Sequence, residues 1–123
     1  EANRVFKGQW QAEYGDTTAI HELAVSTYQG ILLWAEGVRQ AGSVEHDAVV
    51  EALEIGLSID GPAGKVTLDP QTHHATLDVH IMEFEDQGMT VIETLPQIAP
   101  VDTQAVCNLQ ENPGDNQQYE IQI

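Results

Sequence analysis

The chain has 123 residues and a mass of 13.5 kDa, and 41% of its residues are hydrophobic, which permits one domain with a core of its own. Twenty Asp and Glu against four Lys and Arg give a formal net charge of −16, which repels nucleic-acid phosphate and anionic lipid and so excludes nucleic-acid binding. No apolar run approaches the roughly 18 residues of a membrane span, and Cys107, the only cysteine, can close no disulfide within the chain and lacks the spacing of a zinc ligand.

Residues Ala2 to Tyr14 read as helix, with Val5, Phe6, Trp10 and Tyr14 near helical spacing. Glu1 is no natural initiator, and a chain that opens inside a helix reads as part of something larger, or as a trimmed mature terminus. Gly15 is placed to end this helix, and Asp16 or Thr17 to cap the next. The second helix is expected over about Thr18 to Ala41, with an apolar stripe of Ile20, Leu23, Ala24, Tyr28, Ile31, Leu32, Ala35 and Val38. At 1.5 Å per residue it is a rod of roughly 36 Å. Gly42 stops it, and Ser43 is expected to cap a third helix over about Val44 to Glu54, with Val49, Val50, Leu53 and Ile55 inward.

After Gly56 the period changes from helical to alternating. Leu57 to Asp60 reads as a short strand, Gly61-Pro62-Ala63-Gly64 as a tight turn, and Val66 and Leu68 alternate with polar residues on the return strand. Ala75 to Phe84 is the clearest strand, with Leu77, Val79 and Ile81 on one face and Thr76, Asp78 and His80 on the other. Glu85 to Gly88 reads as a hairpin turn, with Met89 to Leu95 pairing back. From Pro96 to Ile123 there are three prolines, many amides and no sustained period, so this part reads as extended chain wrapped on a surface. The resulting division is a helical segment over 1–56, a β-rich segment over 57–95 and an extended tail over 96–123. A single hairpin cannot cover both the broad stripe of the long helix and the third helix. Exposed apolar surface between Ile20 and Val38, or a second chain covering it, is therefore expected.

The residues give little support to catalysis. His73 and His74 are adjacent on an extended segment and point to opposite sides, and neither His-Glu-x-x-His nor Cys-x-x-Cys is present. No nucleophile elbow, phosphate loop or dinucleotide fingerprint occurs. Pairs such as Glu83 with Glu85, or Asp78 with His80, lie on a solvent-type strand face, where solvation accounts for them. The chain is thus expected to be a non-enzyme with no catalytic residue, metal or cofactor. The competing reading is a small hydrolase or metal protein built on His73, His74 and Cys107. Trp10, Tyr28 and Trp34 are of a type that stacks on ligands, but at helical positions Tyr28 and Trp34 are expected in the core.

The order of these features resembles a known family. Thr27-Tyr28-Gln29-Gly30, then Trp34-Ala35-Glu36-Gly37-Val38 and Ala41-Gly42, resembles a helix of the type I periplasmic binding proteins. Asp47 to Leu53, the turn Gly61-Pro62-Ala63-Gly64-Lys65-Val66, then Asp69, His73-His74, the hairpin and the proline-containing tail through Asn108 follow in the same order. The likeness spans about Phe6 to Leu109 and is greatest to the amide- and urea-binding branch, near the branched-chain amino-acid receptors. It implies an α/β fold, the C-terminal segment of a two-lobed binding protein, with long helices followed by short strands. By that resemblance residues 1–56 pack on the first lobe and 57–95 return towards the second.

The function implied is that of a periplasmic receptor for a small polar solute such as urea, a short amide or an amino acid, which hands it to an ABC permease. The remaining partners implied are the N-terminal lobes of the same protein, or a second copy in their place. An amide-type ligand sensor that regulates gene expression through a protein partner is the alternative. The residues nearest the implied cleft are His21, Glu22 and Leu23. They stand where a helix N-terminus offers free amide protons to a carbonyl or carboxylate, though ordinary capping explains them as well.

Overall fold

A computed structural model describes residues 1–86 and 88–120. Three helices come first: α1 (Ala2–Tyr14), α2 (Glu22–Ala41) and α3 (His46–Leu53). Four strands follow, β1 (Ser58–Gly61), β2 (Gly64–Leu68), β3 (Ala75–Glu85) and β4 (Gly88–Ile98), and then a single turn of helix, α4 (Val101–Gln104). The strands form one antiparallel meander in the order β1-β2-β3-β4. This is the mixed α/β architecture that the change of period predicts.

Helix α2 begins four residues later than its apolar pattern suggests. The Trp10 indole N–H donates to the Thr18 carbonyl at 3.2 Å, and the Thr18 hydroxyl donates to the Tyr14 carbonyl at 2.7 Å. These bonds fold residues 15–18 back onto the end of α1 and hold them out of the next helix. The cap is His21, not Asp16 or Thr17. At the other end Gly42 takes the left-handed conformation (φ 63°) and returns its N–H to the Val38 carbonyl, which stops the helix. Ser43 does not cap α3 directly. The N-cap is Glu45, and the Ser43 hydroxyl accepts the Glu45 N–H one step earlier.

The face that α2 buries is narrow. Gln29, Leu33 and Gly37, four residues apart, form the buried row. Gly37 admits α3 so closely that a Cβ there would lie 3.1 Å from the Leu53 side chain. Val49 of α3, Leu57, Val66 and Phe6 complete the small core. Ile55, expected inward, is 71% exposed because the chain turns at Gly56 and carries it off the α3 face.

Hairpin β1–β2 closes through the two residues Pro62 and Ala63, with Gly61 opposite Gly64. Its turn is pushed into the helical layer: Gly61 and Pro62 are buried. The Gln29 side-chain oxygen Oε1 accepts the Ala63 N–H at 2.7 Å, and the Asn3 side-chain amide donates to the Pro62 carbonyl at 3.0 Å.

Strand β2 pairs with β3 only at Thr67↔Thr76 and Leu68↔Ala75. Beyond that point β3 and β4 run on as a two-stranded ribbon whose tip residues are exposed. Its register shifts twice, between Leu77 and Val79 and between Ile81 and Met82. At the first shift Gln97 has φ 49°, held by the Asp78 carboxylate, which accepts both its backbone and side-chain N–H at 2.9 Å. Strand pairing continues through Pro96 to Ile98, past the expected end at Leu95. The turn expected over Glu85 to Gly88 joins the two strands, with Gln87 outside the described residues.

The segment after β4 is not wholly extended. Helix α4 and the residues behind it dock on the loop after β2 by way of Asp69 and Gln71. The Asp69 carboxylate accepts from the Thr72 N–H (2.9 Å), the Thr72 hydroxyl (2.8 Å) and the Gln104 side-chain amide (2.6 Å). The Gln71 side-chain amide donates to the Gln104 and Cys107 carbonyls, and the Leu109 N–H donates to the Gln71 carbonyl.

Candidate functional site

Helices α1 and α2 meet through aromatic rings. Phe6 and Tyr28 have ring centroids 4.8 Å apart, Phe6 and Trp10 are 6.1 Å apart, and Trp10 and Tyr14 are 4.5 Å apart. These tilted geometries suit the quadrupoles of the rings. Beside them lies an open groove of about 530 Å³, walled by Trp10 and Tyr14 from α1 and by Leu23, Tyr28 and Ile31 from α2, with Gln9 and Thr27 as its polar edges. The volume is that of a small-molecule site, and a mostly apolar wall with a few polar groups is the usual lining. The groove is open to solvent: Tyr14 is 58%, Leu23 66% and Ile31 60% exposed.

Of the three residues singled out in the sequence, Leu23 is the one that lines this groove; His21 and Glu22 precede it at the start of α2. His21 is extended (φ −85°, ψ 149°), and its ring Nδ1 accepts the Leu23 N–H at 3.2 Å, so it is the side-chain cap of α2. Nδ1 must be unprotonated to accept, which leaves Nε2 to carry the ring hydrogen as a donor. Glu22 is the first helical residue, exposed, where its charge complements the helix dipole. Leu23 lines the groove itself.

Of the aromatic residues expected in the core, Tyr28 is half-buried against Phe6, while Trp34 is 52% exposed. Trp34 stands outside the row that packs on α3 and β1, and about half of it is open to solvent. The histidines of the competing reading do not converge. The His73 Nε2 lies 2.8 Å from a Glu54 carboxylate oxygen, and His73 takes φ 58° in the loop that docks the tail. Cys107 is half-buried behind α4. Among the described residues no three His, Cys, Asp or Glu are grouped to hold a metal ion, and no helix is long and apolar enough to cross a membrane.

The residue that sequence reasoning missed is Gln29. It is a polar side chain only 7% exposed, and it joins two of the quoted runs, Thr27 to Gly30 and Gly61 to Val66. A buried amide facing a glycine-proline turn has no signature in hydrophobic periodicity.

The chain matches the family model described as periplasmic binding protein domain over residues 1–110, and it belongs to that family. This is a family of extracytoplasmic, non-enzymatic domains that bind small solutes. No curated protein matches the chain.

Proposed function

We propose that this chain supplies one wall of the solute cleft in a two-lobed receptor for a small polar molecule. Urea, a short amide or an amino acid is the ligand class, and an ABC permease the recipient. The family match over residues 1–110 carries this reading. The groove supports it: Tyr28 and Trp10 offer flat walls, and the start of α2 offers a ring N–H donor from His21 beside the positive end of the helix. A carbonyl or carboxylate oxygen placed there would meet donors, with Leu23 against the apolar part of the ligand.

The open side of the groove is where the other lobe would close. The same lobes would cover Ile31 and Trp34, which leave an apolar face on α2. The test is a thermal-shift panel of urea, acetamide, formamide and the amino acids on the protein made from the complete reading frame. A ligand at a hundred times its Kd stabilises a protein by about 2.7 kcal/mol, which several degrees of Tm would report. One solute class should raise Tm, and replacing Leu23 by Asp should remove the shift. No shift with any of these solutes would contradict the reading.

A further inference from the structure

We infer that the β1–β2 turn is a spacer that sets the gap between α1 and α2, and that Gln29 and Asn3 are the positioning residues that hold it there. The inference rests on reading the α1–α2 groove as part of the solute-facing surface, and it identifies what gives that groove its width.

Helix α1 leans on α2 through the Phe6–Tyr28 ring contact, and its other attachment at that end is to the turn. The turn is hydrogen-bonded to both helices. From α2 the Gln29 side-chain oxygen grips the Ala63 N–H at 2.7 Å, and from α1 the Asn3 side-chain amide grips the Pro62 carbonyl at 3.0 Å. Two adjacent residues of one turn are thus bonded to two different helices. The seat is tight: a Cβ on Gly61 would stand 2.6 Å from the Gln29 oxygen and 2.8 Å from its Cγ, so glycine is what lets the turn enter this far. Gln29 follows Tyr28 directly, so the residue that holds the turn and the residue that walls the groove share one turn of α2. Pro62 and Asn3 bear on the start of α1, three residues ahead of Phe6. Withdrawing the turn removes the support at the start of α1, and the ring contact and the 15–18 segment folded onto its far end are left to hold the angle.

The inference separates hydrogen bonding from packing at Gln29. Methionine has nearly the same volume and offers the Ala63 N–H only a weak thioether acceptor, whereas glutamate keeps a carboxyl oxygen there. The experiment compares the unmodified chain with Gln29→Met, Gln29→Glu and Asn3→Asp. It reads the NMR cross-peaks between the Phe6 and Tyr28 rings and the affinity of the groove for Nile red, an uncharged apolar dye. Amide chemical shifts of α3 report whether the body of the fold is intact.

With α3 shifts unchanged, Gln29→Met should lose most of the Phe6–Tyr28 cross-peak intensity and change dye affinity at least threefold. Gln29→Glu should retain both. Asn3→Asp, at an exposed position that does not threaten folding, should weaken the cross-peaks because its carboxylate cannot donate to the Pro62 carbonyl. Retention of cross-peaks and dye affinity in Gln29→Met would overturn the inference, as would equal loss in Gln29→Met and Gln29→Glu. No solute enters these measurements, so their failure would leave the receptor reading to its own test.

Discussion

Two side chains join the layers of this molecule, and each makes a prediction. Gln29 ties the helices to the β1–β2 turn, and Asp69 ties the loop after β2 to the tail. Replacing Gly61 by alanine forces a methyl group to within 2.6 Å of the Gln29 oxygen. The turn must then withdraw or Gln29 must turn away from Ala63, and urea unfolding should show a loss of about 1–3 kcal/mol, the range for overpacking. At Asp69, burial opposes ionisation. The hydrogen bonds from the Thr72 and Gln104 side chains and the Thr72 and Gln71 backbone outweigh it, and the carboxyl is held below its ordinary value. A depressed folded-state pKa contributes stability that is present above the unfolded value, about 3.9, and is lost as pH falls through the folded one. As pH falls from that unfolded value towards the lower folded one, the tail should undock progressively, seen as faster amide exchange at Leu109, whose N–H is bonded to Gln71. Asp69→Asn should show that faster exchange already at neutral pH. Unchanged Leu109 exchange in the variant would refute the role given to Asp69.

At the scale of the element, α2 presents two kinds of apolar residue that periodicity does not tell apart. The stripe from Ile20 to Val38 is legible in the sequence, and so is the helix. Which part of the stripe the chain covers is not. Packing selects the row Gln29, Leu33 and Gly37 because the small Gly37 admits α3 and Gln29 meets the turn, while Leu23, Ile31 and Trp34 stay outside. Leu33→Ala should cost about 2 kcal/mol or more, the lower end for buried leucine. Trp34→Ser should change the stability of this chain by less than about 0.5 kcal/mol, as for a surface residue. Equal costs at the two positions, measured by chemical denaturation, would show that the exposed face is covered after all. The start of α2 was hidden for a related reason: Thr18 is spent on Tyr14 and Trp10 of α1, a tertiary effect that local capping rules do not include. The strands and both tight turns were legible because alternation and glycine-proline chemistry are local. Helix α4 was not, since its single turn is held by Asp69, some thirty-five residues earlier.

The whole molecule is open. Its accessible surface is 9012 Å², against roughly 6,500 Å² for a compact monomer of this mass from the scaling of surface with size. Exposed apolar side chains lie on the α1–α2 face, beside α3 at Val44 and Ile55, and on the ribbon, where Phe84 is 78% and Met89 61% exposed. The sequence anticipated this from too many apolar stripes for one hairpin to cover. A charge of −16 adds self-repulsion, so moderate salt should raise the urea midpoint of the chain by screening it. A midpoint insensitive to salt would mean that the carboxylates are too far apart to matter.

The central claim is that the cleft needs a second wall. Calorimetric titration with urea, acetamide and amino acids tests it most directly, on this 123-residue chain and on the protein made from the complete reading frame. The account predicts no measurable heat of binding for the chain alone and micromolar affinity for one solute class in the complete protein. Micromolar binding is about −8 kcal/mol, which requires a small ligand to be enclosed and met by placed donors and acceptors on all sides. Micromolar binding by the chain alone would contradict the account, since the site would then be whole without its partner.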